Sequence, residues 1–407
     1  MKPRCVMRQN QTRLLEAIHS EDPVAGFTHN FYKYPARFSP LFIRAMIQTF
    51  TKPGDLVYDP FMGGGTTLVE ASALGRQAIG TDINSLAVFL ARVKTRRFTP
   101  NQLSIVRSWA HSTVEKLQWW ATAKSGGHWV EHGYQRNINS TATWRIRKLL
   151  EIGLAETEIL NVAEEQQLAR CILLRTAQWA LDCRKDVPTP TEFRGQFLIN
   201  AEEIVQGAAA YASAVKRERK ALKGKAMIAA PICLHRSAIG VEQDDAIQGR
   251  PVSLVLTSPP YPGVHVLYHR WQVQGRRETP APYWIANALD GHGASFYTFG
   301  DRQEPQLNSY FDRALAAFRS IARISNENTL VVQMLAFSEP EWQLPRYGLM
   351  MKRAGFAEMK FPHLANAPDG RVWRRVPNRK WYASQQGGTN SSNEVVLFYK
   401  LRRQGVS

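Results

Sequence analysis

Asp55-Leu56-Val57-Tyr58-Asp59-Pro60-Phe61-Met62-Gly63-Gly64-Gly65-Thr66-Thr67 is the stretch that decides the fold. Residues 55–60 are a short apolar run ending in an acid and a proline, the pattern of a strand buried in a parallel sheet. A turn at Gly63-Gly64-Gly65 follows, then a helix over 66–74 and Gly75. Residues 77–82, ending in Asp82, read as the next strand, and 84–95 as the next helix. Strand, glycine loop, helix and acid-tipped strand together make one nucleotide-binding βαβ unit. Upstream, Ser39-Pro40 suits the start of a helix over 39–50, with Ser39 as its cap.

The loop is not a phosphate cradle, because no Lys-Ser/Thr follows its glycines. Glycines let a backbone pass close to a ligand, and ligands bind at the carboxyl ends of such strands. Asp59 at the strand tip favours a positive amino or sulfonium group. Asp82 suits a ribose hydroxyl pair.

A second apolar run, Val252 to Leu256, ends in Thr257-Ser258-Pro259-Pro260-Tyr261. The amine nitrogen of cytosine or adenine is a poor nucleophile because its lone pair is delocalised into the ring. The Ser258 oxygen and the Pro259 carbonyl can accept its two N–H bonds, which favours a pyramidal nitrogen and an aimed lone pair. Pro259 and Pro260 stiffen the loop. Tyr261 offers a face on which a base taken out of the stack can lie.

Taken together, the two motifs resemble those of the S-adenosylmethionine-dependent DNA amino-methyltransferases, the cytosine-N4 and adenine-N6 enzymes. The resemblance covers residues 28–95 and 229–400. It implies a Rossmann-like α/β fold and S-adenosyl-L-methionine as cofactor. The cofactor would be lined by Tyr34, Pro35, Ala36, Asp59, Pro60, Phe61, Gly63, Gly64, Gly65, Thr66, Thr67, Asp82, Ile83, Asn84 and Thr257. Tyr34, Pro35 and Ala36 lie in the segment His29 to Phe38, which resembles the family's lid over the methionine moiety. Ser258, Pro259, Pro260 and Tyr261 would be the catalytic tetrad. Serine in first place is more typical of cytosine-N4 enzymes. Departures are His235-Arg236-Ser237, where the family often has an acid, and the helical block between the motifs.

The rest of the 407 residues divide around these motifs. Residues 1–97 form the first half of the core. Residues 98–225 form a tryptophan-rich helical insertion, its tryptophans read as core. Residues 226–407 form the second half, with a DNA-reading insertion at 262–305. The expected fold is a mostly parallel sheet with helices on both faces, closed by a C-terminal antiparallel hairpin of 379–383 against 394–400. The charge of +18, from 52 Lys+Arg against 34 Asp+Glu, favours a polyanionic partner. The resemblance implies double-stranded DNA as that partner. Its candidate contacts are Arg270, Trp271, Arg276 and Arg277 in the insertion, and Arg371, Arg374, Arg375, Arg379 and Lys380 near the end.

Carbon-5 cytosine chemistry is argued against, since it needs a thiolate, usually after a proline. None of Cys5, Cys171, Cys183 and Cys233 follows one. Their scatter gives no zinc or disulfide framework, and no metal is expected. No run of about 18 apolar residues predicts a membrane span, and the start lacks a signal core. The expectation is a cytoplasmic, nucleoid-associated prokaryotic protein, with a cognate restriction endonuclease as a further partner. Two alternatives stay open: an adenine-N6 methyltransferase acting on DNA or RNA, and a non-catalytic DNA-binding protein with a relic fold.

Overall fold

The computed structural model describes residues 12–20, 22, 24–35, 38–122, 127–222, 229–264, 267, 270–275, 277–291, 294–375 and 393–402. The first half of the core runs α1 (Pro40–Phe50), β1 (Leu56–Asp59), α2 (Thr66–Ala73), β2 (Gln77–Asp82) and α3 (Ser85–Thr95). The helical block follows with α4 (Pro100–Lys116), α5 (Gly127–Glu131), α6 (Trp144–Thr157), α7 (Ala163–Leu181) and α8 (Pro190–Ala221). The chain then returns to the sheet with β3 (Ile232–His235) and β4 (Val252–Thr257). An excursion of β5 (Trp271–Val273), β6 (Arg277–Thr279), α9 (Ala281–Ala286) and α10 (Ala294–Tyr297) precedes α11 (Asn308–Arg323). The end is β7 (Leu330–Ala336), α12 (Pro340–Arg353), β8 (Phe356–Met359), β9 (Val372–Arg375) and β10 (Asn393–Leu401).

The central sheet has the order β3-β2-β1-β4-β7-β10-β8, with β9 also pairing β10. From β3 to β7 every pair is parallel, and β10 runs antiparallel to β7, β8 and β9. This is the expected Rossmann-like arrangement. β1 and β7 are buried along their whole length, which explains their unbroken apolar runs.

Local chemistry starts the long helices. Thr99 and Thr189 each close a capping box, with Gln102 and Glu192 respectively, and each is followed by proline. Proline likewise opens α1, but Ser39 makes no side-chain cap there, a correction to the expected role.

The closing hairpin differs from expectation. Its first limb is Val372–Arg375, paired Arg374 to Glu394, while residues 379–383 lie outside the described residues. β8 carries too short a pattern to be read in advance. Nor is 262–305 a plain loop. Trp271, Val273, Tyr283, Trp284 and Ile285 are buried in the same apolar cluster as Trp109, Phe193 and Phe197 of the helical block. The block packs on the core through this excursion and also directly, with Tyr211 and Val215 of α8 against Val69 and Ala73 of α2. Trp120 is an exception to the core reading, at 67% exposure. Among the described residues, no helix is long and apolar enough to cross a membrane.

Candidate functional site

β1 and β4 are neighbours and run parallel, so the chain leaves the sheet twice at the same edge. The glycine loop follows one strand tip and the Ser-Pro-Pro-Tyr turn follows the other. A side-chain hydrogen bond joins them directly: the Thr257 hydroxyl donates to Asp59 Oδ1 at 2.8 Å. The backbone N–H of Phe61 donates to the same oxygen at 3.2 Å.

Asp59 is buried, and burial pushes its carboxyl up to about 6 against the pull of these hydrogen bonds. Asp82, one strand over, is also pushed up to about 6 by burial. Its two oxygens accept from the backbone N–H groups of Gly63, at 2.9 Å, and Asn84, at 2.8 Å. The acid of the second strand thus ties down the loop after the first. Among the described residues, neither carboxylate is ion-paired to a lysine or arginine. Two desolvated acids at adjacent strand tips make a place for a ligand that is cationic at one end and rich in hydroxyls at the other. That donor set fits S-adenosylmethionine.

The segment before α1 covers the loop. The Tyr34 side chain lies over the glycines, so a Cβ on Gly63 would come within 3.1 Å of its ring and one on Gly64 within 3.1 Å of its Cβ. Asn84 caps α3 by accepting from Leu86 N–H and donates to the Tyr34 hydroxyl at 3.2 Å. The Tyr283 hydroxyl donates to Asn84 Oδ1 at 3.0 Å, which links the excursion to the loop. Glu70 of α2 holds His29 of the covering segment and Arg44 of α1, each at 2.7 Å. The buried ammonium of Lys94 donates to the Gly64 carbonyl. Tyr283, His29, Glu70 and Lys94 were not singled out from the sequence, because each acts through a partner distant in the chain.

Pro60, Thr66 and Thr67 are buried around Asp59, while Pro35, Phe61 and Ile83 are half-buried. Phe61 packs edge-on against Phe299, with ring centroids 5.4 Å apart. Ala36 lies outside the described residues. Gly65 has φ +73°, and a Cβ there would sit 3.0 Å from Ala91 Cβ and 3.1 Å from its Cα. Gly65→Ala combines left-handed strain with a clash against backbone, so it should cost about 2–4 kcal/mol. Urea titration of the variant measures that loss.

The tetrad is ordered by a chain of hydroxyls. Ser258 Oγ donates to the Tyr261 hydroxyl at 3.0 Å, which donates to Glu394 Oε1 at 2.9 Å. Glu394 heads β10 and lies 3.3 Å from the buried Arg374 Nε. The Tyr310 hydroxyl donates to the Pro260 carbonyl at 2.7 Å, fixing the second proline. Glu394 was missed because an acid at the head of an apolar strand reads as a solvated end. Only the sheet topology brings it to the tetrad.

Several DNA-contact expectations need correction. Trp271 is buried and donates its indole N–H to Tyr32, so it has no face for a base. Arg374 is buried against Glu394 and the Ile18 carbonyl. Arg371 is held by Glu358 and Asp369, and Arg270 by Asp290 and Glu278. Sequence reading cannot tell an arginine facing phosphate from one spent on a carboxylate. Arg277 and Arg375 are exposed, and Arg276, Arg379 and Lys380 lie outside the described residues. The described cysteines offer no thiolate: burial pushes Cys171 up to about 12 and Cys233 to about 11, and Cys183 is also raised by burial. Among the described residues no group of His, Cys, Asp and Glu is arranged to hold a metal ion.

Comparison with known proteins adds to this geometry. Residues 7–92 match the model of the N6/N4 DNA methylase family. The type II methyltransferase M.MvaI of Kocuria varians is 41% identical over 103 residues, 23% of this chain and 23% of that protein. The type II methyltransferase M.MjaII of Methanocaldococcus jannaschii is 32% identical over 84 residues, 21% of this chain and 16% of that protein. The tRNA (guanine(10)-N2)-dimethyltransferase of Methanothermobacter thermautotrophicus is 33% identical over 99 residues, 24% of this chain and 30% of that protein. The chain thus matches less than a third of the length of each of these relatives. The family whose model residues 7–92 match is the one that the two motifs resemble.

Proposed function

We propose that this protein is an S-adenosylmethionine-dependent DNA methyltransferase that methylates an exocyclic base amine, N4 of cytosine. One observation carries the proposal: the Thr257–Asp59 hydrogen bond, which sets the glycine loop and the Ser-Pro-Pro-Tyr turn side by side. A donor gripped by one strand tip therefore lies within reach of a base presented by the other.

S-adenosylmethionine, when bound, supplies an electrophilic methyl group on a sulfonium. Asp59 would face its positive end and Asp82 its ribose, while Tyr34 lies over the glycine loop. The target base leaves the duplex stack. Ser258 Oγ and the Pro259 carbonyl accept its N–H bonds, and Tyr261 lies beside it. The nitrogen would take the methyl group as its bond to sulfur breaks, leaving a neutral thioether, and would release its surplus proton to solvent. These residues contribute orientation and a fixed pattern of acceptors.

The base choice rests on the serine of the tetrad. DNA as substrate is supported by the matched family and by the charge of +18, with Arg277 and Arg375 left as exposed phosphate contacts. The matched N6/N4 family keeps adenine, and a tRNA methyltransferase among the relatives keeps RNA, as the second reading. The type II names of the first two relatives support a role beside a restriction endonuclease.

Modification-sensitive sequencing of DNA from a host expressing the protein tests this reading. The expected result is N4-methylcytosine at one short motif. N6-methyladenine instead would overturn the base choice, and unmodified DNA would overturn the activity.

A further inference from the structure

The chain Ser258–Tyr261–Glu394 runs outward from the tetrad and ends on a carboxylate. Its polarity follows from what each group can do. An ionised carboxylate only accepts hydrogen bonds, so the Tyr261 hydroxyl must give its proton to Glu394. A phenol has one proton, so Tyr261 can then only accept from Ser258. The Ser258 proton is thereby spent, and what Oγ turns toward the pocket is lone pair alone. The second Glu394 oxygen lies 3.3 Å from Nε of the buried Arg374, so the far end of the chain is set against a guanidinium.

We infer that Glu394 is a positioning residue: acting through Tyr261, it holds the Ser258 hydroxyl as an obligate hydrogen-bond acceptor, so that the site selects a base edge bearing an amine over one bearing a carbonyl. This rests on the methyltransferase reading above and names the device behind its choice of substrate group. A serine by itself rotates freely and can donate to a carbonyl as readily as it accepts from an amine. Here the hydroxyl is set before the base arrives, and a carbonyl would meet lone pair against lone pair.

Glu394→Gln tests the polarity while keeping the shape. Beside the Arg374 guanidinium the amide turns its oxygen to the arginine and its NH2 to Tyr261. The chain reverses, and Ser258 then donates toward the base. The assay uses full-length protein, methyl-labelled S-adenosylmethionine and amplified, unmodified genomic DNA, read as single-turnover transfer of label to DNA. Glu394→Gln should lose rate on the order of a hundredfold, the range for one misdirected hydrogen bond at a reacting group. Its affinity for S-adenosylmethionine, by calorimetry, should stay within about twofold of wild type, since the chain lies on the base side.

A double-mutant cycle separates this from simple support of the fold. Tyr261→Phe cuts the chain and should lose about tenfold, because the freed Ser258 hydroxyl still accepts part of the time. In that background Glu394→Gln should cost nothing further, because its effect has no route to Ser258. Equal losses in both backgrounds would overturn the inference, as would Glu394→Gln activity within about threefold of wild type. If Glu394→Gln does not fold, Tyr261→Phe decides alone: full wild-type rate overturns the inference, and the tenfold loss with unchanged cofactor affinity supports it. Wild-type protein that transfers no label to DNA would instead remove the methyltransferase reading itself, and this inference with it.

Discussion

Ser258→Ala should lose turnover by on the order of 10²–10³-fold, about 3–4 kcal/mol of transition-state stabilisation. The substitution removes the side-chain acceptor and leaves the Pro259 carbonyl in place. One N–H of the target amine then goes unpaired in a dry site, and the nitrogen lone pair is no longer held toward the methyl group. The loss should appear in kcat and in kcat/KM alike, because the interaction matures as the nitrogen becomes pyramidal. Cofactor affinity should hold, since Asp59 keeps its bonds from Thr257 and Phe61. The melting temperature should change little, because Ser258 is half-buried and Tyr261 keeps its bond to Glu394. Steady-state kinetics with calorimetry measure all three. Full turnover in the variant would show that the tetrad does not orient the amine.

Asp59→Asn should separate cofactor binding from stability. The carboxylate is the negative partner of a cationic ligand in a desolvated site, and removing its charge should weaken binding by about 2 kcal/mol or more, at least about thirtyfold. The ligand-free protein should respond the opposite way. Burial raises the Asp59 carboxyl from 3.8 to about 6, so the folded chain resists its ionisation. Stability from such a group is fully present below its ordinary pKa and lost as the pH rises through about 6. At about pH 7.5 the ionised group therefore carries a cost on the order of 1–3 kcal/mol that the neutral amide avoids. The ligand-free variant should melt higher than wild type at neutral pH, and the gap should close toward pH 4. Cofactor binding by wild type should weaken as the pH falls below about 6, because a proton then competes with the cation. A variant that binds S-adenosylmethionine as tightly as wild type would show that Asp59 faces no positive charge.

The two motifs were legible because each is a local unit. Asp59, the glycines and Asp82 fall within one βαβ turn of chain, where spacing alone dictates the chemistry. The same holds for Ser258 to Tyr261 at the end of one apolar strand. Their adjacency was an expectation from fold logic, and the pairing of β1 with β4 gives it a register. What could not be read depends on contacts across the chain. Glu394 reaches the tetrad over a sequence separation of 133 residues. The arginine-rich stretch of 371–375 looked like a DNA arm, yet alternate residues on β9 point to opposite faces. Arg374 faces inward to Glu394 and Arg375 outward to solvent. Trp271 looked like a base wedge and is instead a joint between the excursion and the segment before α1, because its indole N–H finds Tyr32. In each case composition announced a residue type and topology decided its partner.

The proposed activity requires a methyl donor and a nucleobase amine to meet between two neighbouring strand tips. Purified protein incubated with methyl-labelled S-adenosylmethionine and unmodified DNA, followed by digestion to nucleosides and mass spectrometry, tests that meeting directly. Label is expected on an exocyclic nitrogen, in N4-methylcytosine. Label on carbon 5 of cytosine, or DNA left unlabelled by protein that binds the cofactor, would contradict it.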